Sequence, residues 1–154
     1  MPKRSVTHAT LVIERFYDAA PGRVFAAWAD PKRKARWFSA PSAEHELDFR
    51  IGGREVNRLK RPGGAASSFD ARYRDIVADE RIVYTYEMYA DETLISVSVV
   101  TVELRPEGGG TRVVFTEQAA FLDAHDTPAA REGGAGSLLD ALGEHLKSAG
   151  RAGS

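Results

Sequence analysis

The alternation of apolar and polar residues changes period along this chain, and each change marks an element. Thr7 to Phe16 is apolar and β-branched, which predicts a first strand. Asp18-Ala-Ala-Pro21 then opens a short helix, with Pro21 suited to its first turn and Val24, Phe25 and Trp28 on one side. Asp30-Pro31 breaks the pattern and starts a second short helix, Pro31 to Phe38, which carries Lys32, Arg33, Lys34 and Arg36 ahead of Trp37.

From Glu44 to Phe121 the period is two. EHELDFRIGGREVNRLK reads as strand, turn, strand, with Gly52-Gly53 supplying the positive φ of a two-residue reversal. In that register Ile51 opposes Arg54, Phe49 opposes Val56 and Leu47 opposes Arg58, so Leu47, Phe49, Val56 and Arg58 share one face. RPGGAAS, from Arg61 to Ser67, is a loop, and four more strands follow: Phe69 to Val77, Arg81 to Tyr89, Leu94 to Leu104 and Thr111 to Phe121. Connections this short predict an antiparallel meander. The period returns to that of a helix from Gly134 to Ala149. There Ala135, Leu138, Leu139, Leu142, Leu146 and Ala149 fall within an arc of roughly 100°. Each leucine buried against the meander would contribute roughly 1.5–3 kcal/mol. The expected architecture is α+β, a curved antiparallel sheet wrapped around one long C-terminal helix. A bent sheet cannot follow a straight helix along its whole length, and the space left over becomes a cavity.

Length and composition fit one domain over 1–154, with its core in about 7–149. The chain is 43% apolar and 28% charged with a net charge of −1, so no overall field draws it to nucleic acid or anionic lipid. The absence of cysteine excludes disulfides, thiolate metal sites and a cysteine nucleophile, and it suits the cytoplasm. MPKRSVTHATLVIERF lacks the uninterrupted apolar run of a signal peptide. LISVSVVTVEL is too short and too β-branched for a membrane span.

Several stretches, in order along the chain, resemble the SRPBCC or START-like superfamily with its helix-grip fold. Within it they resemble the branch named for the activator of heat-shock protein 90 ATPase. They are FYDAAPGRVFAAWADPKRKARWF, LDFRIGGRE, FDARYRDIVADERIVYTYE, GTRVVFTEQAAFLD and REGGAGSLLDALGEHL. Many relatives open the last helix with glycine-tryptophan where this chain has Gly134-Ala135, which removes a large wall residue. The resemblance implies the helix-grip fold. It permits a polyketide-cyclase-like activity, with Glu117 and Tyr73 as the titratable candidates, and a chaperone or stress-associated partner. It extends only to the single START-like domain and not to the separate N-terminal domain of the eukaryotic co-chaperone.

No nucleophile elbow, zincin motif, P-loop or dinucleotide fingerprint occurs. Gly108 to Gly110 and Gly133 to Gly136 read as turn and helix entry. His8, His45, His125 and His145 are scattered, and His145 flanks the apolar arc of the last helix. Asp123, His125 and Asp126 are of ligand type, but Asp126 or Thr127 equally caps a helix starting near Pro128. PKRKARWF reads as a solvated basic face. No metal or cofactor is expected.

The tyrosines carry the most chemistry. Tyr84, Tyr86 and Met88 share one face, as do Phe69 and Tyr73. Their hydroxyls need partners if buried, and Arg58 or Glu117 can serve. An inward Arg58 would meet Glu117, a water or an anionic ligand. The expected lining is Trp37, Leu47, Phe49, Val56, Arg58, Phe69, Tyr73, Tyr84, Tyr86, Met88, Val97, Val99, Phe115, Glu117, Leu138 and Leu142. This suits a non-catalytic protein that binds a small apolar or amphipathic molecule. The same inward pattern also fits a filled core whose tyrosines bond to backbone. An exposed edge strand leaves room for a homodimer.

Overall fold

The computed structural model describes residues 4–152. Its elements are β1 (Val6–Tyr17), α1 (Pro21–Ala29), α2 (Pro31–Phe38), β2 (Glu44–Leu47), β3 (Arg54–Leu59), β4 (Ser67–Val77), β5 (Arg81–Ala90), β6 (Thr93–Glu107), β7 (Gly110–Leu122) and α3 (Pro128–Ala152). The strands form one antiparallel sheet in the order β1-β7-β6-β5-β4-β3-β2, with α3 and the two short helices packed on one face. This is the helix-grip α+β arrangement.

Each element follows its local chemistry. Pro21 and Pro31 occupy the first turns of α1 and α2, and the Asp30 carboxylate accepts from the Lys32 backbone N–H to cap α2. The Trp37 indole donates to the Ala27 carbonyl at 3.0 Å, which fixes the angle between the two short helices. Thr127 caps α3 through its side-chain oxygen, which accepts from Ala130 N–H. The helix therefore begins ahead of Gly134 and carries Gly133, Gly134 and Gly136 within it rather than at its entry. Ala135, Leu139, Leu142 and Leu146 are buried, Leu138 is half-buried and Ala149 is exposed. The Tyr17 hydroxyl donates to the Leu139 carbonyl at 2.7 Å and ties α3 to β1.

The β2–β3 hairpin corrects the expected register. The reversal spans Phe49 to Gly53, closed by Asp48 N–H donating to the Arg54 carbonyl. Leu47 then opposes Glu55, and Glu44 opposes Arg58. This is an odd shift from the two-residue turn, and side chains alternate between faces, so β3 turns over. Glu55 points inward and is fully buried, while Val56 is half-buried and Arg58 is exposed. The glycines seat the turn on β4. Gly52 N–H donates to the Tyr73 carbonyl at 2.8 Å, and Tyr73 N–H donates to the Gly53 carbonyl at 3.0 Å.

β6 shows a second reversal of expectation. Ser96 and Ser98 face the interior with Val100 and Val102, whereas Val97 and Val99 lie exposed on the outer face. Pairing with β7 sets this parity, since Ser98 opposes the buried Ala119 and Val100 opposes the buried Glu117.

Candidate functional site

Between α3 and the sheet lies a cavity of about 250 Å³. Its buried surface is mainly rings: Trp28 from α1, Trp37 from α2, Phe69 from β4, Tyr84 and Tyr86 from β5, and Phe115 from β7. The rings meet at angles rather than stacked flat. Trp28 and Trp37 are edge to face at 4.8 Å, and Phe69 lies 4.7 Å from Tyr86. α3 supplies Arg131, Ala135, Leu138 and Leu139. Phe38, Asn57, Met88 and Asp126 form a partly exposed rim.

Seven of the expected lining residues meet here: Trp37, Phe69, Tyr84, Tyr86, Met88, Phe115 and Leu138. Tyr73 and Leu142 are buried in the adjoining core. Leu47 and Phe49 pack against that core, Phe49 edge-on to Phe25 and Tyr73. Val56 and Arg58 do not enter the cavity because the longer hairpin turn rotates them outward. Val97 and Val99 do not enter because the strand parity places serines inside.

Two charged groups outside the expected lining take the place of Arg58. The first is Arg131, in the opening turn of α3, with its side chain 8% exposed. One guanidinium nitrogen, Nη1, donates to the Tyr86 hydroxyl at 2.7 Å and to Glu117 Oε2 at 2.9 Å. The other, Nη2, donates to Ser96 Oγ at 2.7 Å and to Asp126 Oδ2 at 3.0 Å. Glu117 Oε2 also accepts from the Tyr86 hydroxyl at 2.5 Å and from Ser98 Oγ at 2.6 Å. The inward serines therefore complete the shell of a buried ion pair, which would otherwise be costly. Burial opposes the Arg131 charge, but the Tyr86 oxygen and the Glu117 carboxylate outweigh it and hold its pKa above the usual arginine value. Burial first, and then the neighbouring Glu117 charge, push the Tyr86 hydroxyl far above the ordinary tyrosine range. Asp126, a candidate metal ligand in the sequence, is engaged by Arg131.

The second is Lys34, which belongs to the run expected to be a solvated face. Its side chain is fully enclosed. Nζ donates to Glu55 Oε1 at 2.6 Å and to the Tyr73 hydroxyl at 3.1 Å, and it sits 4.3 Å from the Phe38 ring and 5.1 Å from Trp28. Tyr73 donates to the same Glu55 oxygen at 2.6 Å, and His45 Nε2 lies 2.7 Å from the other. Burial lowers the Lys34 pKa, partly offset by Glu55. Burial would raise Glu55, but Lys34, His45 and Tyr73 outweigh it and hold the carboxyl below its usual range. Lys34, Glu55 and Tyr73 are not among the cavity-lining residues, and Nζ lies against the Trp28, Phe38 and Tyr84 rings, which are. One signal for it was present in the sequence: Lys34 lies three residues before Trp37, on the helix face that Trp37 buries.

Tyr84 is 2% exposed, and its hydroxyl makes no hydrogen bond among the described residues. Trp28 Nε1 is the one fully enclosed side-chain polar atom without a partner among those residues. The Tyr84 oxygen is therefore not fully enclosed, and Tyr84 is part of the cavity lining. No helix among the described residues is long and apolar enough to cross a membrane.

The model of the Activator of Hsp90 ATPase homolog 1-like protein family matches residues 18–147. Among solved structures, an uncharacterized protein from Rhizobium leguminosarum is 45% identical with a TM-score of 0.91, over 95% of this chain and 99% of that one. The Mll3558 protein from Rhizobium loti is 46% identical with a TM-score of 0.87, over 92% and 99%. Protein CV1439 from Chromobacterium violaceum is 26% identical with a TM-score of 0.76, over 89% and 96%. No curated protein matches the sequence significantly.

Proposed function

We propose, for a chain that belongs to the Activator of Hsp90 ATPase homolog 1-like family, that it binds a small, largely apolar molecule between α3 and the sheet without transforming it. The observation that carries this reading is the ring-lined cavity of about 250 Å³, with Tyr84 in its wall. A close-packed core leaves few voids larger than a water molecule, so a space of this size is maintained by the architecture. For comparison, a dry cavity of about 150 Å³ already accepts benzene.

The tyrosine hydroxyls of the wall and the adjoining core are held away from neutral pH, which favours binding over catalysis by them. General acid–base work calls for a pKa near the operating pH. Burial raises Tyr73, Tyr84 and Tyr86 away from it. Lys34 moves toward it, but it is enclosed behind the wall and held by Glu55.

The chain's two tryptophans, Trp28 and Trp37, both line the cavity, so intrinsic fluorescence reports occupancy. Native mass spectrometry of purified protein, followed by titration with small bicyclic hydrocarbons, tests the reading. A retained molecule or a saturable change in emission is expected. A bare mass together with no saturable response would overturn it.

A further inference from the structure

The charges around the cavity are already paired with one another, and this restricts what can enter. Arg131 is the cation that would capture a carboxylate or phosphate, but it is flanked by Glu117 and Asp126. Its two terminal nitrogens make four bonds to protein oxygens. Lys34 behind the wall is held by Glu55. Two cations thus face three carboxylates, and an incoming anion would meet no unpaired positive charge. It would lose its water and compete with Glu117 for a guanidinium already in use, at a desolvation cost of several kcal/mol.

A cation fares no better, although aromatic walls ordinarily attract one. The rings have cations against them already. Lys34 Nζ lies 5.7 Å from the Tyr84 ring and 4.3 Å from Phe38, and the Arg131 guanidinium lies 5.6 Å from Tyr86 and 5.1 Å from Phe121. A further positive charge in the cavity would find these ring faces already occupied and the nearby carboxylates already paired. Among the described residues, two polar groups of the buried wall are uncommitted: the Trp28 indole N–H, which is fully enclosed, and the neutral Tyr84 hydroxyl, which can donate one hydrogen bond and accept another.

Building on the ligand-binding reading above, we infer that the ligand is an uncharged compound of one or two rings. It carries a single hydroxyl or carbonyl oxygen, which pairs with Tyr84. The internal ion pairs act as a charge filter: they rigidify the wall while leaving each charge already matched to a protein partner.

Three indanes substituted at the same carbon test this: the alcohol, the carboxylate and the amine. Each is titrated at pH 7 against the full chain, with tryptophan emission excited at the red edge of the band. The alcohol is expected to bind at least about tenfold more tightly than either ion, a difference of about 1.4 kcal/mol. Equal or tighter binding of the carboxylate or the amine would overturn the inference while leaving ligand binding itself intact. Failure of all three would overturn the ligand-binding reading and this inference with it. Glu117→Gln frees the Arg131 charge and should move the preference about tenfold toward the carboxylate. Should that variant fail to fold, Asp126→Asn at the rim serves, with a smaller shift in the same direction. A folded variant with an unchanged preference would overturn the pairing as the cause.

Discussion

Lys34 Nζ and Glu55 Oε1 lie 2.6 Å apart with neither side chain exposed to solvent, so α2 is joined to β3 by an ion pair inside the core. Removing one partner leaves the other charge stranded. Glu55→Gln and Lys34→Met should each destabilise the fold by about 3–5 kcal/mol. The double variant should be less destabilised than the sum of the two by about 1–3 kcal/mol. Urea unfolding of the four proteins gives the coupling directly, and additive losses would refute an energetic link.

Arg131 and Arg58 make a paired comparison. Arg131→Met strands Glu117 among Tyr86 and Ser98 and should cost about 3–5 kcal/mol. Arg58→Ala, at an exposed position, should stay within about 0.5 kcal/mol of the parent. Comparable losses would mean that the hairpin register differs from the one described.

The two adjacent glycines are required for different reasons. At Gly52, φ is +84° with open space around the missing Cβ, so Gly52→Ala should cost about 1 kcal/mol of backbone strain. A Cβ on Gly53 would lie 2.0 Å from the Asp48 carbonyl oxygen. Gly53→Ala must open the turn, so its midpoint for thermal unfolding should fall well below that of Gly52→Ala.

Ala135 lines the cavity from α3. Ala135→Leu adds bulk to an existing void. It should abolish the fluorescence response to indanol while changing stability by less than about 3 kcal/mol. Retained binding at parental affinity would place the molecule elsewhere.

His145 supplies a pH signature. Burial first, and then Arg36, Arg33 and Arg23, lower its pKa in the folded chain below the usual 6.5. The unfolded chain therefore binds this proton more readily, and stability rises with pH across the interval between the folded pKa and 6.5. Its contribution is fully present above 6.5 and is lost as pH falls through the folded value. Unfolding midpoints at pH 5 and 7 should differ less in His145→Gln than in the parent.

The order of elements and the long helix are written in simple periodicities. Pro21 and Pro31 announce their helices, and the leucines of α3 repeat on one face. The aromatic wall was visible for the same reason, since Phe69, Tyr84, Tyr86 and Met88 keep strict alternation. The polar half of the site was not. A five-residue turn and a two-residue turn suit the same glycines, yet they hand opposite faces of β3 to the core, and alternation alone does not choose between them. In β6, Val97 and Val99 read locally as inward, but the alternation carried back from the buried Val100, Val102 and Leu104 places Ser98 and Ser96 inside, where Glu117 and Arg131 bond them. Lys34 was hidden by its neighbours, because one buried lysine among three other basic residues leaves the pattern of a wet helix unchanged.

Two enclosed ion pairs hold the helices to the sheet, Lys34 on α2 to Glu55 on β3 and Arg131 on α3 to Glu117 on β7. Swinging either helix outward would pull unlike charges apart in a poorly polarisable medium, so neither can serve as a door. Traffic is left to the half-buried side chains of Phe38, Met88 and Leu138 at the rim. These turn about single bonds and break no ionic contact, so a guest would come and go at the pace of rotating side chains, with the frame standing still.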